Sequence, residues 1–296
     1  MALTINSGFG MMNASLKINE SQRMFSDALK KIASGSMITS AADDPAGSAI
    51  SQTMNARLMG LGTAVTNNET VANMARTAEA SAGQISDLLG QARQIVVDSA
   101  NTGVNDASTL QADQSRLNDI LKSVGTLAGQ AQFGTKNLFD GNLTLTANTG
   151  PDGQTVGVAV GEISQSALGT GATYTAEDGT VKPVDKFNNL GDLGNALASG
   201  DKNSIDQALG VIDKAISQVG EVRGKLGALE SDVIGPINQS MTTAYQSMQE
   251  SRSTISDADI AKEIAKVTQE NIKSQVGAAL TAQGKENAQN LMQLLL

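Results

Sequence analysis

Apolar side chains recur along much of the chain at intervals of three and four residues, the spacing of a helix that buries one face. The longest such series consists of Val71, Met74, Ala78, Ser81, Ile85, Leu88, Ala92 and Ile95. Upstream, Asp44 precedes Pro45, which favours a helix start with Asp44 as N-cap and Pro45 at the first helical position. We therefore predict a helix from residue 45 to about 99, roughly 80 Å long at ~1.5 Å per residue.

A second series predicts another long helix in the second half of the chain. Its members are Ile205, Ala208, Ile212, Ala215, Val219, Val222, Leu226, Leu229 and Val233. Ser204 is its expected N-cap. The pattern continues less regularly to Ile255 and passes Gly235-Pro236, where a proline inside a helix predicts a bend. A shorter helix, from about residue 107 to 130, carries leucines on one side and can share a seam with the two long ones.

Both ends of the chain also have helical spacing and resemble each other in composition. The apolar positions are Ile18, Phe25, Leu29 and Ile32 at one end, and Ile260, Ile264, Val267, Ile272, Val276 and Leu280 at the other. The remaining residues there are mostly small or uncharged. We expect the two ends to meet.

The middle of the chain differs from both ends, because glycine is frequent and threonine and valine alternate with other residues. Leu143–Thr146 and Thr155–Val160 flank a turn-forming stretch that contains Gly150 and Gly153, which predicts a β-hairpin. The piece from Gly169 to Lys186 has too few large apolar residues for a core of its own, so we expect a surface insert packed on the helices. The predicted fold is mainly α, with long coiled-coil-like rods formed by the N- and C-terminal segments and a small β-hairpin-containing middle.

Composition and charge narrow the possible functions. The 296 residues include 21 Lys and Arg against 30 Asp and Glu, a formal charge of -9, which argues against a nucleic-acid partner. The chain has no Cys, His or Trp, so thiol nucleophiles, histidine bases and the usual zinc sites are excluded. Asp43 and Asp44 are adjacent, but neighbouring side chains diverge and Asp44 is better explained as a cap. We predict no enzyme activity, catalytic residue, cofactor or metal.

Features of membrane insertion and secretory targeting are missing from the sequence pattern. No run of apolar residues is long enough to span a bilayer, so no membrane insertion is expected. The first charge is at Lys17, and polar residues interrupt the stretch before it, so we find no cleavable secretory signal and expect any export to use another route.

The composition of the ends has a physical consequence. Ordering a residue costs about 1–2 kcal/mol, and segments this poor in large side chains bury too little area to offset that cost alone. If other copies of the chain supply the missing surface, at ~25 cal/mol per Å² buried, then folding of the ends and polymerisation become one event. Patterning alone leaves a monomeric bundle with frayed tails as an equal alternative.

Four segments, in this order, resemble bacterial flagellin. They are Leu29–Gly35, Ser40–Gly47, Gln132–Gly141 and the stretch Ser251–Asp259, which resembles the family's turn before the last helix. The resemblance covers residues 1–165 and 203–296. It implies a structural subunit that polymerises into the flagellar filament, a helical propeller for swimming.

The resemblance also implies a route, a location and partners. Such a subunit is exported unfolded through the flagellar type III apparatus, without signal cleavage, and is assembled at the distal tip into a secreted, extracellular filament. Its partners are copies of itself, the flagellar cap, junction proteins and an export chaperone.

The family architecture assigns a place to each part of the chain. Residues 1–40 and 258–296 would form the terminal helical pair of the inner tube. Residues 41–165 and 203–257 would form the helical rod domain with its β-hairpin, and 166–202 a small surface-exposed insert. At the C-terminal end, Leu291, Leu294, Leu295 and Leu296 are candidate assembly residues.

One segment coincides with the stretch that the vertebrate innate flagellin receptor reads in many flagellins. Its candidate interaction residues are Leu88, Leu89, Gln91, Arg93, Ile95 and Val96. Gln91 stands where the family carries its first Arg, and Gln94 where it carries Glu, so two charge-assisted contacts would be missing. We expect weak receptor activation and a mainly structural role for Leu89, Ile95 and Val96.

Other interpretations remain open at this point. A hook-filament junction protein shares helical ends and a similar Asp-Asp-Pro start, although Ser40–Gly47 and Gln132–Gly141 favour flagellin. An adhesin or carbohydrate-binding module on helical rods is a more distant alternative, because the absence of Trp leaves few surfaces for sugar stacking.

Overall fold

The computed structural model describes residues 2–101, 103–177 and 179–294, and these are mainly helical, which confirms the predicted fold class. The α-helices are α1 (Ala2–Ser34), α2 (Pro45–Ser99), α3 (Ala107–Gln130), α4 (Lys202–Ala228), α5 (Gly235–Ser256) and α6 (Ile260–Leu294). The bounds of α2 and α3 agree with those predicted from apolar spacing.

Two compact units divide the chain, and the division falls inside α2 and α5. The terminal unit consists of the residues up to Leu58 and those from Tyr245 onward, whereas the central unit is Met59–Ala244. In the terminal unit, the segment after α1 joins the segment after α5: Met37 N–H donates to the Ser256 carbonyl at 2.7 Å, and Ala258 N–H donates to the Gly35 carbonyl at 3.0 Å.

The central unit has an aliphatic core at the seam shared by α2, α3 and α4. Its largest fully buried side chains on these helices include Ile85, Leu89, Leu117, Ile205 and Ile212. Alanines fill the positions between them on α2, among them Ala78, Ala82 and Ala92, each 0% exposed. Small side chains allow helix axes to approach closely, which explains how a chain with 2% aromatic residues builds a dry core.

Three small antiparallel hairpins follow α3. Strands β1 (Gln132–Phe133) and β2 (Lys136–Asn137) pair first, then β3 (Thr144–Asn148) with β4 (Thr155–Ala159), then β5 (Thr173–Thr175) with β6 (Val181–Pro183). The β3–β4 register runs from Thr144 opposite Ala159 to Asn148 opposite Thr155, so the predicted hairpin is present. Leu145 and Ala147 point into the core on alternate positions of β3.

A buried asparagine fixes the end of the β3–β4 hairpin. Asn68 of α2 is 0% exposed; its Nδ2 donates to the Asn148 carbonyl at 2.8 Å and to Asn238 Oδ1 at 3.0 Å. Its Oδ1 accepts from Asn148 N–H at 2.6 Å. The Asn68 side chain therefore joins the hairpin, α2 and α5, and each of its buried polar atoms has a hydrogen-bond partner.

The start of α4 differs from the prediction. The N-cap is Asp201, whose side chain accepts from Ser204 N–H, and the helix begins at Lys202, so the assignment of Ser204 as cap is wrong. Ser204 is the third residue after the N-cap Asp201, and its hydroxyl donates to Asp201 Oδ2 at 2.6 Å. Both residues are good caps by type. Lys186 Nζ donates to both of them, to Asp201 Oδ2 and to Ser204 Oγ, at 2.7 Å each.

Proline in the second half of the chain is accommodated by a π-helix. The turn Leu229–Ile234 separates α4 from α5, and Gly235 N–H donates to the Glu230 carbonyl, five residues back. Pro236 has no N–H and its ring crowds the carbonyl four residues earlier, so the wider turn before it relieves that crowding. The predicted irregularity is therefore a π-turn that precedes the proline.

The residues between β4 and α4 pack on α4. Gly210 lies so close to β5 that a Cβ atom there would be 2.5 Å from the Thr173 carbonyl oxygen. A short 3-10 helix, Leu190–Asn195, buries Leu190 and Leu193 beside α3 and is not evident in the sequence pattern.

Candidate functional site

The paired terminal helices, α1 and α6, form the most distinctive surface of the terminal unit. Three close approaches define an antiparallel pair: Ser21 with Glu270, Ile18 with Gly277, and Met11 with Gly284. As residue numbers increase along α6, the numbers of the residues that they contact on α1 decrease. The expectation that the two ends meet agrees with this pairing.

The side chains that α6 turns toward α1 are mostly small or polar, whereas those that α1 turns toward α6 are mostly apolar. On α6 the buried or half-buried positions at heptad spacing are Glu263, Val267, Glu270, Ser274, Gly277, Thr281 and Gly284, and Lys266 beside them is half-buried. On α1 the positions at this spacing are Met11, Ala14, Ile18, Ser21, Phe25, Ala28 and Ile32, and Lys31 beside them is half-buried. A Cβ atom at Gly277 would lie 2.7 Å from Ile18 Cγ1, so this glycine allows the helices to touch.

The large aliphatic side chains of α6 point away from α1. Their exposed fractions are 41% for Ile260, 52% for Ile264, 57% for Ile272, 53% for Val276 and 59% for Leu280. Helix α1 likewise exposes Phe9, Met12 and Leu16 by more than half. A helix pair that leaves this many large apolar side chains exposed has the pattern of a surface that other chains cover.

The seam residues Ser21, Glu263, Glu270 and Gly277 are not evident from apolar periodicity. That method follows large aliphatic side chains, which here lie on the outside. The signal that identifies the inner face is the repetition of Glu, Glu, Gly and Gly at seven-residue intervals, at positions 263, 270, 277 and 284.

The two seam glutamates have different surroundings. Glu270 is 4% exposed; its Oε2 accepts from Ser21 Oγ at 2.6 Å and its Oε1 from Lys273 Nζ at 2.7 Å. The hydrogen bonds from Lys273 and Ser21 hold the pKa of Glu270 below its ordinary value. Glu263 is 9% exposed, and its Oε2 has no hydrogen-bond partner among the described residues, although Lys266 Nζ lies 3.9 Å away.

The predicted C-terminal assembly residues lie at the limit of what the structure describes. Leu291 and Leu294 fall within α6, but their side chains are outside the description. Leu295 and Leu296 lie outside the described residues altogether. Their assembly role stays a prediction.

The segment with the predicted receptor residues lies on α2 in the central unit. Leu89, Ile95 and Val96 are buried in its core, and Leu88 packs partly buried against that core. Gln91 and Arg93 are exposed, and Arg93 Nε donates to Asp213 Oδ1 of α4 at 2.7 Å. The ion pair with Asp213 raises the pKa of Arg93. Gln94 is exposed as well, so the segment presents three polar side chains, of which Arg93 is already paired within the chain.

The start of α2 has the geometry expected of an acidic cap. Asp44 Oδ1 accepts from Gly47 N–H at 2.9 Å, and Pro45 is the first helical residue. Asp43 points elsewhere: its Oδ2 accepts from Thr39 N–H at 3.0 Å and from Ser40 N–H at 2.9 Å. The Thr39 hydroxyl also donates to this oxygen at 2.8 Å. This bond above all, together with the two backbone N–H bonds, lowers the pKa of Asp43.

Groups with catalytic or metal-binding chemistry do not gather anywhere in the described part of the chain. No cluster of three or more His, Cys, Asp or Glu residues there could hold a metal ion. In the same residues, no helix is both long and apolar enough to cross a bilayer.

Paired terminal helices, a central helical unit with an aliphatic core and small two-stranded hairpins define a mainly α-helical protein. Two sequence profiles match the chain: the bacterial flagellin N-terminal helical region over residues 5–144 and the bacterial flagellin C-terminal helical region over residues 209–295. These matches cover most of the chain and include α2, α3, α5, α6 and most of α1 and α4. The chain belongs to the flagellin family.

Known relatives extend over the full length. The chain is similar to flagellin from Bacillus subtilis, with 29% identity over 304 residues that cover 99% of this chain and 100% of that protein. It is also similar to the flagellar filament 33 kDa core protein of Treponema phagedenis, with 28% identity over 303 residues and the same coverage. A structure described as a flagellar hook-associated protein from Vibrio parahaemolyticus shares the fold, with a TM-score of 0.52, 16% identity, and coverage of 73% of this chain and 100% of that one.

Proposed function

We propose that this chain is the structural subunit of a bacterial flagellar filament and that it polymerises with copies of itself to form the propeller for swimming. Family membership and full-length similarity to proteins named for the flagellum and its filament support the assignment. The observation that carries it is the outward placement of the aliphatic residues of α6, more than half exposed at Ile264, Ile272, Val276 and Leu280. Burial of these side chains against other copies supplies the apolar area that one chain lacks.

The proposal includes a place for each segment. Residues 1–40 and 258–296 form the inner tube, residues 41–165 and 203–257 the rod, and residues 166–202 a surface insert. The antiparallel pairing of α1 with α6 supports the first of these assignments. The subunit is exported unfolded by the flagellar type III apparatus, is carried by an export chaperone, and is added under a cap beyond the junction proteins, so it resides in the extracellular filament.

Seeded polymerisation tests the function directly. Purified chain added to sonicated filament fragments is expected to extend them into long uniform fibres visible by negative-stain electron microscopy. Deletion of residues 294–296 is expected to abolish elongation, because it removes the apolar C-terminal end while leaving every buried residue of the central unit in place. The control is a chain with an equally short deletion in the turn between β5 and β6. Normal fibre lengths after the terminal deletion would argue against the assembly role of Leu294, Leu295 and Leu296.

A hook-filament junction protein is the second candidate, and the shared fold with the hook-associated protein favours it. The matched profile regions favour the filament subunit. The same seeding experiment separates the two, because a junction protein caps or joins fragments without extending them.

Recognition by the vertebrate innate flagellin receptor is proposed to be weak. Gln91 replaces an arginine of the family pattern, and Arg93 is paired with Asp213. Combining Gln91→Arg with Gln94→Glu is expected to increase reporter-cell activation by about tenfold or more, since charge-assisted hydrogen bonds contribute more than neutral ones. Activation by the unaltered chain at the dose of an arginine-containing flagellin would contradict this proposal.

A further inference from the structure

Among the described residues, the seam between α1 and α6 contains one hydrogen bond that joins a buried carboxylate to the opposite helix. We propose that this bond, from Ser21 to Glu270, sets the register in which α1 and α6 pair, and that chains paired in this register are the ones that elongate a filament. This inference adds a register-selecting contact to the proposed filament function and rests on that function. Ser21 and Glu270 are positioning residues, because they act through the alignment of the two helices.

Both oxygens of the Glu270 carboxylate are occupied in this register. Ser21 donates from α1 at 2.6 Å, and Lys273 donates from the same helix as Glu270 at 2.7 Å. Lys273 moves with α6, so its contact is the same in any register. Ser21 belongs to the other helix, so its contact exists in one register only.

Neighbouring registers leave the carboxylate without a donor from α1. A slip of one heptad places Ala28 or Ala14 opposite Glu270, and neither has a side-chain hydroxyl. Among the described residues on this face of α1, which are Met11, Ala14, Ile18, Ser21, Phe25, Ala28 and Ile32, Ser21 alone carries a polar side chain. A buried acceptor that loses its partner destabilises the pair more than the bond itself stabilises it. The observed register is therefore favoured over the slip that places Ala28 opposite Glu270, because Ser21 then meets Gly277, which has no side-chain acceptor. In the opposite slip Ser21 meets Glu263, so the bond is exchanged for an equivalent one. A single polar residue in a helix seam is known to select register in this way.

The glycine contacts do not supply this selectivity. Gly277 meets Ile18, and Gly284 meets Met11, at the same heptad position. A slip of seven residues places one glycine where the other was, opposite another apolar side chain. Contacts of this kind, between a glycine on α6 and a larger apolar side chain on α1, repeat along the seam. They therefore stabilise the helix pair equally in neighbouring registers.

Register matters for assembly because the outer surface is built from both helices. A groove of about 500 Å³ lies on one side of the pair. Its lining includes Lys17 and Met24 of α1 together with Ile272, Val276 and Leu280 of α6. A slip of one heptad moves one set of side chains along the other by about 10 Å, which changes the surface offered to the next copy.

Engineered disulfides can report the register, because the chain has no native cysteine. The in-register reporter combines Met11→Cys with Gly284→Cys. Two slip reporters combine Ile18→Cys with Gly284→Cys, and Met11→Cys with Gly277→Cys. In the observed register each slip pair is one heptad, about 10 Å, out of line, which exceeds the ~7 Å Cα separation that a disulfide spans.

Each reporter is placed in the unaltered chain and in three variants, grown on seed fragments, oxidised, and analysed by non-reducing electrophoresis. Ser21→Ala is expected to raise the yield of the Ile18–Gly284 slip disulfide by about tenfold and to slow elongation by a similar factor. Glu270→Gln keeps an acceptor for Ser21 and is expected to retain both register and elongation. Glu263→Ala is the matched control for that reporter, because Glu263 occupies the same heptad position but its Oε2 has no hydrogen-bond partner among the described residues. It is expected to change neither readout by more than about twofold.

The outcomes are separable. Ser21→Ala filaments that form only the in-register disulfide at the normal rate would overturn the proposal. If the Ser21→Ala chain does not elongate, the oxidised unpolymerised chain decides: new slip disulfides support the proposal, and the in-register disulfide alone overturns it. Failure of the unaltered chain to elongate would reject the filament function. The role of Ser21 in setting the register would still be decided, by comparing the disulfides formed in the unaltered chain with those formed in the Ser21→Ala chain.

Discussion

Asp106 caps α3 with its side chain and illustrates how one ionised residue links structure to pH. Its Oδ1 accepts from Thr109 N–H at 2.8 Å, from the Ser108 hydroxyl at 2.7 Å and from the Thr109 hydroxyl at 2.9 Å. These bonds lower the pKa of Asp106 from 3.8 to about 2. A lowered pKa means that the ionised form is favoured in the folded chain. The stabilisation is therefore complete above the ordinary pKa and is lost as the pH falls through about 2.

The direction of this pKa shift leads to a test at Asp106. Asp106→Asn keeps an oxygen that accepts from Thr109 N–H but does not titrate. We expect the melting temperature of the central unit to fall less in Asp106→Asn than in the unaltered chain when the pH is lowered from ~5 to ~2. Asp106→Ala, which has no cap, is expected to melt lower than both at the higher pH. An identical acid-induced decrease in the unaltered chain and in Asp106→Asn, followed by circular dichroism, would contradict the assignment.

At the scale of helices, glycines in α4 have opposite roles depending on what lies beside them. A Cβ atom at Gly210 would meet the Thr173 carbonyl oxygen at 2.5 Å, whereas nothing lies within 4 Å of one at Gly220. Gly220→Ala is expected to stabilise the chain by about 1 kcal/mol, the difference in helix propensity. Gly210→Ala is expected to destabilise it by roughly 1–3 kcal/mol, because the strand must shift. Urea denaturation measures both, and stabilisation by both substitutions would show that β5 does not pack on α4 as described.

Helices were more predictable from the sequence than the contacts between them. The bounds of α2 and α3 follow from apolar spacing and from the Asp44-Pro45 start, because burial of one face fixes a helix locally. The cap of α4 was misplaced at Ser204, since Asp201, three residues earlier, is an equally good cap by residue type and the apolar pattern does not choose between them. The polar face of α6 was missed because Glu263 and Glu270 are buried only by virtue of α1, which periodicity in α6 does not reveal.

At the scale of the whole molecule, most large apolar side chains of the central helices are buried, whereas many of those in the terminal unit are exposed. Leu89, Leu117 and Ile212 are 0% exposed in the former, whereas Ile272 and Leu280 are 57% and 59% exposed in the latter. Composition alone indicated that the ends bury little by themselves. Which residues remain exposed depends on the pairing of α1 with α6, so the surface that a second copy covers could be located only from the structure.

The exposed aliphatic residues of α6 give the last prediction. Ile272→Asn and Leu280→Asn are expected to leave the stability of the central unit unchanged, because neither side chain is in its core. Each is expected to slow seeded elongation by about tenfold or more, since the apolar burial lost between copies amounts to roughly 1.5–3 kcal/mol for a side chain of this size. Val181→Asn is the matched control, because Val181 is aliphatic and 70% exposed but lies on β6. If Val181→Asn slowed growth as much as Leu280→Asn, general loss of apolar surface would explain the effect and α6 would have no special role. Normal growth of Val181→Asn alongside impaired growth of the α6 variants places the contact between copies on the outer face of α6.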